Sequence, residues 1–277
     1  MRSDKLVLIL GAKGMLGSEL SLIFSDLQPI CWDIDDLDIT KEEIVQKRIR
    51  EMSPSVIINA SAYTNVDGAE DNEELANRIN GTAVGHLAKT AELIGAKLIH
   101  YSTDYVFNGE CESGYQESDK PDPVNAYGRS KLLGEQAIQK ECKDYYIIRT
   151  SWLYGRGGKN FVDTMIKLGK ENKAVKVVND QFGKPTYTAD LARQTRKLIE
   201  GDKPYGIYHV TNEKQASWFD FAEKIFELSG IKTTVIPVTS GEFPRPAKRP
   251  NYSSLINTKI PKQRSWESAL SEYLSAR

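Results

Sequence analysis

Cysteine is scarce here: Cys31, Cys111 and Cys142 are the only three in 277 residues. They lie far apart without the paired spacing of a zinc site, and an odd, sparse count suits a reducing compartment. Long apolar runs are missing too. Nothing approaches the ~20 residues that a bilayer span needs, and Met1-Arg-Ser-Asp-Lys-Leu-Val-Leu-Ile-Leu10 runs straight into a strand-like segment, leaving no room for a signal peptide. Charge of one sign is absent, with a net charge of −1. That gives no basic footprint for nucleic acid and no acidic tail. There are no internal repeats or low-complexity tracts. What remains is a cytoplasmic globular protein with no nucleic-acid or membrane partner, long enough for one large α/β domain or two modest ones.

The chain opens with Lys5-Leu-Val-Leu-Ile-Leu10, a continuous apolar run of the kind a strand covered on both faces requires. It feeds Gly11-Ala-Lys-Gly14-Met-Leu-Gly17 and then Ser18-Glu-Leu-Ser-Leu-Ile-Phe24, which reads as a helix. Such a turn binds dinucleotides. Its glycines let the backbone approach a pyrophosphate resting at the helix N-terminus and let helix and strand pack closely. The rival reading is a merely tight turn. A second strand, Pro29-Ile-Cys-Trp-Asp33, ends on an acid about twenty residues after the glycines, where such a group commonly bonds ribose hydroxyls and disfavours a 2′-phosphate. Asp33 is a candidate NAD selector, although Asp35, Asp36 and Asp38 follow closely. Thr40 reads as a helix N-cap before acids in the first turn.

Ser55-Val-Ile-Ile-Asn-Ala60 is another buried strand, and it exits into Ser61-Ala-Tyr-Thr-Asn-Val-Asp-Gly-Ala-Glu70. That loop lies at the carboxyl end of a central strand, where open α/β sheets place ligands. Residues 73–94 read as one helix, with His86 packed or solvated rather than a ligand. A fourth strand, Ala96-Lys-Leu-Ile-His-Tyr101, ends in Ser102-Thr103-Asp104-Tyr105, whose hydroxyls are placed to bond a substrate carbonyl. After a polar loop come Tyr127 and Lys131, four apart and therefore on one helix face. An ammonium near a phenol favours the phenolate, so the tyrosine can give or take a proton closer to neutrality. Alone, the pair is more often a solvated helix face; the upstream motifs change that reading. Tyr145-Tyr-Ile-Ile-Arg149 is a fifth strand. Alternating strands and helices over the first 150 residues predict a doubly wound parallel sheet. Beyond it the pattern is less regular. Helices are expected over 160–172, over 189–200 and from Ser217 or Ala216, strands over 175–178 and 205–210, and a polar turn over 180–186. Arg245, Lys248 and Arg249, among Pro244, Pro246 and Pro250, either meet a diphosphate or form a solvated loop.

Together these pieces resemble the extended short-chain dehydrogenase/reductase family, and within it the dTDP-4-dehydrorhamnose reductases. The stretches that carry the resemblance span nearly the whole chain in order. They are the glycine turn, Asn59-Ala-Ser-Ala-Tyr-Thr-Asn-Val-Asp67, Ser102-Thr-Asp-Tyr-Val-Phe107, Tyr127-Gly-Arg-Ser-Lys131, Arg149-Thr-Ser-Trp152, Asn160-Phe161, Asp180-Gln-Phe-Gly183 with Pro185-Thr186, Ser217-Trp218 and Arg245-Pro246. The resemblance implies a Rossmann-type doubly wound parallel sheet with a smaller α/β substrate-binding lobe. The cofactor domain would cover 1–151 and return over 186–212; the lobe would hold 152–185 and 213–277.

The implied activity is reduction of the C4 keto group of dTDP-4-dehydro-L-rhamnose by NADPH or NADH. Tyr127 would protonate the C4 oxygen, Lys131 would hold the nicotinamide ribose and lower the tyrosine pKa, and Thr103 would bond the same carbonyl. Gly11, Gly14, Met15, Leu16 and Gly17 would lie along the pyrophosphate. Asp33, Asp38 and Ile39 would face the adenosine, and Ala60, Ala62, Tyr63 and Thr64 would line the nicotinamide side. Asp104, Tyr105, Val66 and Trp152 would join Thr103 around the sugar. Trp152 and Thr103 each have a plainer alternative, as core and as a strand end satisfying backbone. No metal ligand set is expected; a homodimer is admitted. Two positions depart from the family pattern: Ile34 stands where a basic residue is common, and Lys248-Arg249-Pro250-Asn251 replaces an asparagine-serine pair. The alternatives are a reductase of another nucleotide 4-ketosugar, an epimerase or dehydratase that recycles its nicotinamide, and a non-catalytic dinucleotide-binding regulatory subunit like the β subunit of methionine adenosyltransferase.

Overall fold

A computed structural model describes residues 6–201 and 203–277; residues 1–5, including Lys5 at the head of the expected first strand, lie outside them. The first half alternates strand and helix: β1 (Val7–Leu10), α1 (Met15–Ile23), β2 (Ile30–Trp32), α2 (Glu42–Met52), β3 (Val56–Asn59), α3 (Gly68–Asp71), α4 (Glu73–Asn77), α5 (Ala83–Ile94), β4 (Lys97–Thr103), α6 (Ala126–Glu141) and β5 (Tyr145–Thr150). The second half is made of shorter pieces: β6 (Leu153–Tyr154), α7 (Phe161–Glu171), β7 (Ala174–Val178), β8 (Phe182–Gly183), β9 (Thr186–Tyr187), α8 (Thr188–Glu200), β10 (Gly206–His209), β11 (Ala216–Ser217), α9 (Trp218–Ser229), β12 (Thr234–Val238) and α10 (Trp266–Ser275).

Six strands form one sheet in the order β10-β5-β4-β3-β1-β2, with every pair parallel. The apolar runs make this possible, because both faces are covered. Along β1, Val7 and Ile9 face a core with Leu20 of α1, Phe24 just after it and Leu191 of α8, while Leu8 and Leu10 face Val45, Ile49 and Leu87 of α2 and α5. That alternation is the pleat read against two helix layers. The chain leaves β1 for β2 on one side and returns to β3 on the other, so the strand order reverses at β1. A crevice at the carboxyl ends of the strands follows from that reversal.

A separate core, with Tyr154, Val162, Phe221, Ile225, Trp266 and Leu270, holds α7, α9 and α10 together above those ends. Pairs β7–β12, β8–β11 and β6–β9 bind this part, and β12 and α10 add elements absent from the sequence expectation. Other expectations need correction. The helix over 73–94 is broken by a π segment, Arg78–Thr82. Thr40 is no cap: its backbone N–H and hydroxyl both bond Asp38, and α2 starts after Lys41. The polar turn over 180–186 contains β8 and the first residue of β9. Among the described residues no helix is long and apolar enough to cross a membrane.

Candidate active site

The turn after β1 is built by close approach. Gly11 has φ +74°, and a Cβ on it would lie 2.8 Å from the backbone of Ala60; a Cβ on Gly17 would lie 2.0 Å from the Gly11 carbonyl oxygen. Only glycine fits both places. Gly14 caps α1, so Met15, Leu16 and Gly17 form its first turn, whose backbone N–H groups have no acceptor within the helix. A cavity of about 550 Å³ opens there, lined by Gly11, Gly14, Asp33, Asp38, Ile39, Ala60 and Ala62. Lys13, Leu37, Thr40, Leu75, Arg78 and Ile79 also line it, and none of these was singled out as a site residue from sequence. Asp33 is preset by backbone, one oxygen accepting the Lys13 N–H at 2.9 Å and the other the Ile34 N–H at 2.9 Å. The Thr40 hydroxyl, bonded to Asp38, holds that carboxyl below its ordinary value. Lys13 pairs with Asp35 at 2.8 Å on the exposed rim. A glycine cradle that any Cβ would fill, a helix N-terminus and an acid at the second strand end suit a dinucleotide.

Tyr63 and Thr64 continue the loop after β3. Asn80, inside the π segment, pins that loop by accepting the Tyr63 N–H at 2.8 Å and donating to the Tyr63 carbonyl at 3.0 Å. Its amide also donates to the Ser130 hydroxyl of α6 at 2.9 Å. The π bulge thereby ties the loop to the helix that carries Tyr127 and Lys131, a use typical of such bulges. No helical periodicity announces it.

At the end of β4, Thr103 accepts the Tyr105 N–H at 3.1 Å and donates to Asp104 at 3.0 Å. Its hydroxyl therefore satisfies backbone and also bears on Tyr127. Asp104 is 3% exposed; burial pushes its carboxyl up to about 7, against the lowering pull of the Ser253 and Thr103 hydroxyls. Asn125 caps α6 by accepting the Gly128 N–H at 2.7 Å, which fixes Tyr127 in the first turn. Burial first, and then the Asp104 charge, raise the Tyr127 phenol above its ordinary 10. Lys131, one turn on, is 2% exposed. Burial lowers its pKa to about 8, with Glu135 acting in the opposite direction. The structure thus gathers Thr103, Asp104 and Tyr127 at one place, with Lys131 one turn further along α6.

A second cavity of about 400 Å³ lies between this cluster and the second-half elements, lined by Asp67, Tyr105, Phe161, Met165, Trp218, Phe243, Arg245 and Arg249 among others. Arg249 pairs with Asp67 at 2.9 Å and lies 6.0 Å over the Tyr105 ring, and Arg245 lies 4.7 Å over Phe243. Trp152 stands one layer back. Its indole stacks on Trp218 at 3.5 Å, and it adopts φ 48°, in the left-handed region that bulky residues rarely occupy. Val66 precedes the lining residue Asp67. Sequence reasoning assigned no role to Phe161 or Trp218, although both sat in the matching stretches; Met165 and Phe243 carried no signal.

A doubly wound sheet, a glycine cradle at its switch point and a half-buried tyrosine one turn before a buried lysine define a nicotinamide-dependent oxidoreductase of the short-chain type. More particularly, the chain belongs to the RmlD substrate binding domain family, whose model matches residues 5–277. It is 42% identical to the spore coat polysaccharide biosynthesis protein SpsK of Bacillus subtilis, over 98% of this chain and 97% of that one. It is 39% identical to the dTDP-4-dehydrorhamnose reductase of Escherichia coli, over 92% and 90% of the two chains. Among solved structures, the dTDP-4-dehydrorhamnose reductase of Bacillus anthracis in complex with NADP superposes with a TM-score of 0.96 at 42% identity, covering 99% of each chain. A reductase of the same name from Clostridium acetobutylicum superposes with a TM-score of 0.94 at 44% identity, covering 98% of each.

Proposed function

We propose that this chain reduces the C4 keto group of dTDP-4-dehydro-L-rhamnose to dTDP-L-rhamnose with NADPH or NADH. One observation carries the reading: the Thr103 hydroxyl bears on Tyr127, Lys131 follows one turn further along α6, and Tyr105, two residues after Thr103, lines the aromatic, arginine-bearing cavity. The nicotinamide, when bound, supplies a hydride to C4. Tyr127 donates its proton to the C4 oxygen, and the Thr103 hydroxyl bonds that oxygen as negative charge develops. The Lys131 ammonium favours the phenolate that remains. Arg245 and Arg249 take the diphosphate, and Phe161, Trp218 and Phe243 give apolar walls to the base and sugar. On this reading 1–151 and 186–212 hold the cofactor, and 152–185 and 213–277 hold the nucleotide sugar. Binding energy from the remote nucleotide then positions C4 against both donors.

The test is NADPH and NADH oxidation with enzymatically generated dTDP-4-dehydro-L-rhamnose, for wild type and Tyr127→Phe in parallel. Wild type should turn over, and the variant should lose about 10²–10⁴-fold in rate while still binding cofactor. A folded wild type that binds cofactor but oxidises none with this ketosugar would sink the proposal.

A further inference from the structure

Behind Lys131 lies a polar pair that the scheme above does not use. His100 on β4 and Asn59 on β3 are register partners in the sheet, and each is 1% exposed. The Asn59 amide nitrogen is 3.1 Å from His100 Nδ1, and His100 Nε2 is 3.3 Å from Lys131 Nζ. Gly134 of α6 lies beside the ring; a Cβ there would make ordinary contact with Nε2 at 3.6 Å but would clash with the Asn80 carbonyl oxygen at 2.2 Å.

Donor and acceptor counting settles the proton on this ring. The Ser61 backbone N–H points at Asn59 Oδ1 at 3.0 Å, and a backbone N–H can only donate. The Asn59 atom facing Ser61 is therefore oxygen, and the atom facing His100 is the NH₂ group. His100 Nδ1 must accept. Burial, reinforced by the Lys131 charge, holds the imidazole well below its ordinary 6.5, so the ring is neutral and carries its one proton on Nε2. That N–H points at Lys131 Nζ. An ammonium has three donors and no lone pair to receive it; a neutral amine has one.

We propose that Asn59 and His100 are positioning residues that favour the neutral amine of Lys131 and so set the pH at which the Tyr127–Lys131 pair changes state. The inference rests on the reading of that pair as the reacting groups. Other charges around Lys131 are placed as follows. Glu135, one turn further along α6, favours the ammonium but is itself bound bidentately by Arg149 of β5. Asp104, after β4, acts on Tyr127. Glu70 of α3 accepts the Ala126 N–H, and Glu73 of α4 pairs with Arg129. His86 and Lys89 of α5 face Glu42, and Arg78 of the π segment is exposed in the cofactor cavity. Among the described residues, only the His100 N–H meets the nitrogen itself. With a pKa drawn down to about 8, the lysine can pass between ammonium and amine near neutrality as Tyr127 loses and regains its proton.

The experiment reads the tautomer directly. The chain has three histidines, so imidazole ¹⁵N spectra of the labelled protein, with and without NADPH, can be assigned. The expected result is a His100 ring protonated on Nε2, with Nδ1 as acceptor, across the neutral range; a proton on Nδ1 overturns the inference. In parallel, the pH profile of reduction is measured for wild type and His100→Phe, which keeps the ring but removes both nitrogens. Reduction should fall as pH rises through the lysine pKa, because Tyr127 yields its proton less readily beside an amine. In the variant this limb should move up by about one pH unit, roughly a tenfold change in the lysine equilibrium. A merely structural role would lower the rate at every pH without moving the limb, and a folded variant with an unmoved limb overturns the inference. If His100→Phe does not fold, the spectra decide. A wild type that reduces no ketosugar would defeat the functional reading, while the tautomer measurement would still judge the Asn59–His100 pair.

Discussion

Asp104 shows how much one buried side chain at this site costs the fold. An acid whose folded value is raised from 3.8 to about 7 binds its proton more tightly in the native state than in the unfolded chain. Stability from this group is therefore highest below the unfolded value. It falls as pH rises through the window between 3.8 and about 7, and the full penalty persists above it. At about 1.4 kcal/mol per pKa unit, the penalty is on the order of 4 kcal/mol. Asp104→Asn keeps an oxygen for the Thr103 hydroxyl and has no charge to bury. Denaturant unfolding should find it more stable than wild type above pH ~7, and no more stable below the unfolded carboxyl value. Reduction should fall if Asp104 bonds the sugar. Equal pH dependence in both proteins would contradict the argument. This was the scale at which the sequence was least legible. The Tyr127–Lys131 spacing is visible in one dimension, whereas Asn59 and His100 meet only because β3 and β4 pair in one register. Nothing in either strand's own pattern announces that pairing.

At the scale of elements, legibility follows length and burial. The strands of the sheet read clearly because parallel strands covered on both faces are unbroken apolar runs, as in Val7–Leu10 and the Val56-Ile57-Ile58 of β3. The two-residue strands β6, β8, β9 and β11 have no period to detect. The π segment hides inside a helical pattern, because one extra residue per turn leaves the apolar spacing nearly intact. Thr40 failed as a cap because Asp38, two residues earlier, captured its hydroxyl. Ser217 succeeded. It accepts the Asp220 N–H at 3.0 Å while Asp220 accepts the Ser217 N–H at 2.8 Å, a reciprocal box that starts α9 and aims Trp218 at the second cavity. Ser217→Ala should cost about 1 kcal/mol in chemical denaturation. Because α9 belongs to the second-half core rather than to the sheet, KM for the nucleotide sugar should rise while the Kd of NADPH stays unchanged. A matching loss of cofactor affinity would show that the two halves are not separable in this way.

For the molecule as a whole, the joint that matters is polar. Arg149 of β5 and Glu135 of α6 form a bidentate pair at 2.9 and 2.6 Å, each 1% exposed. The Ser102 hydroxyl of β4 also donates to Glu135, and His209 of β10 lies beside the guanidinium at 3.5 Å. Burial, then the Arg149 charge, lowers His209 to about 3, so it is neutral there. This node links three strands of the sheet to the helix bearing Tyr127 and Lys131. Desolvating two charges offsets most of their attraction, so the intact pair adds little net stability, yet removing one partner strands the other. Arg149→Met should therefore lose about 3–5 kcal/mol in denaturant unfolding. The double variant Glu135→Leu/Arg149→Met, which leaves no buried charge at the node, should lose less than the single one despite two substitutions. If the double variant instead lost the sum of the two single effects, the node would be a net source of stability. The sheet would then depend on that ion pair as much as on the apolar layers either side of it.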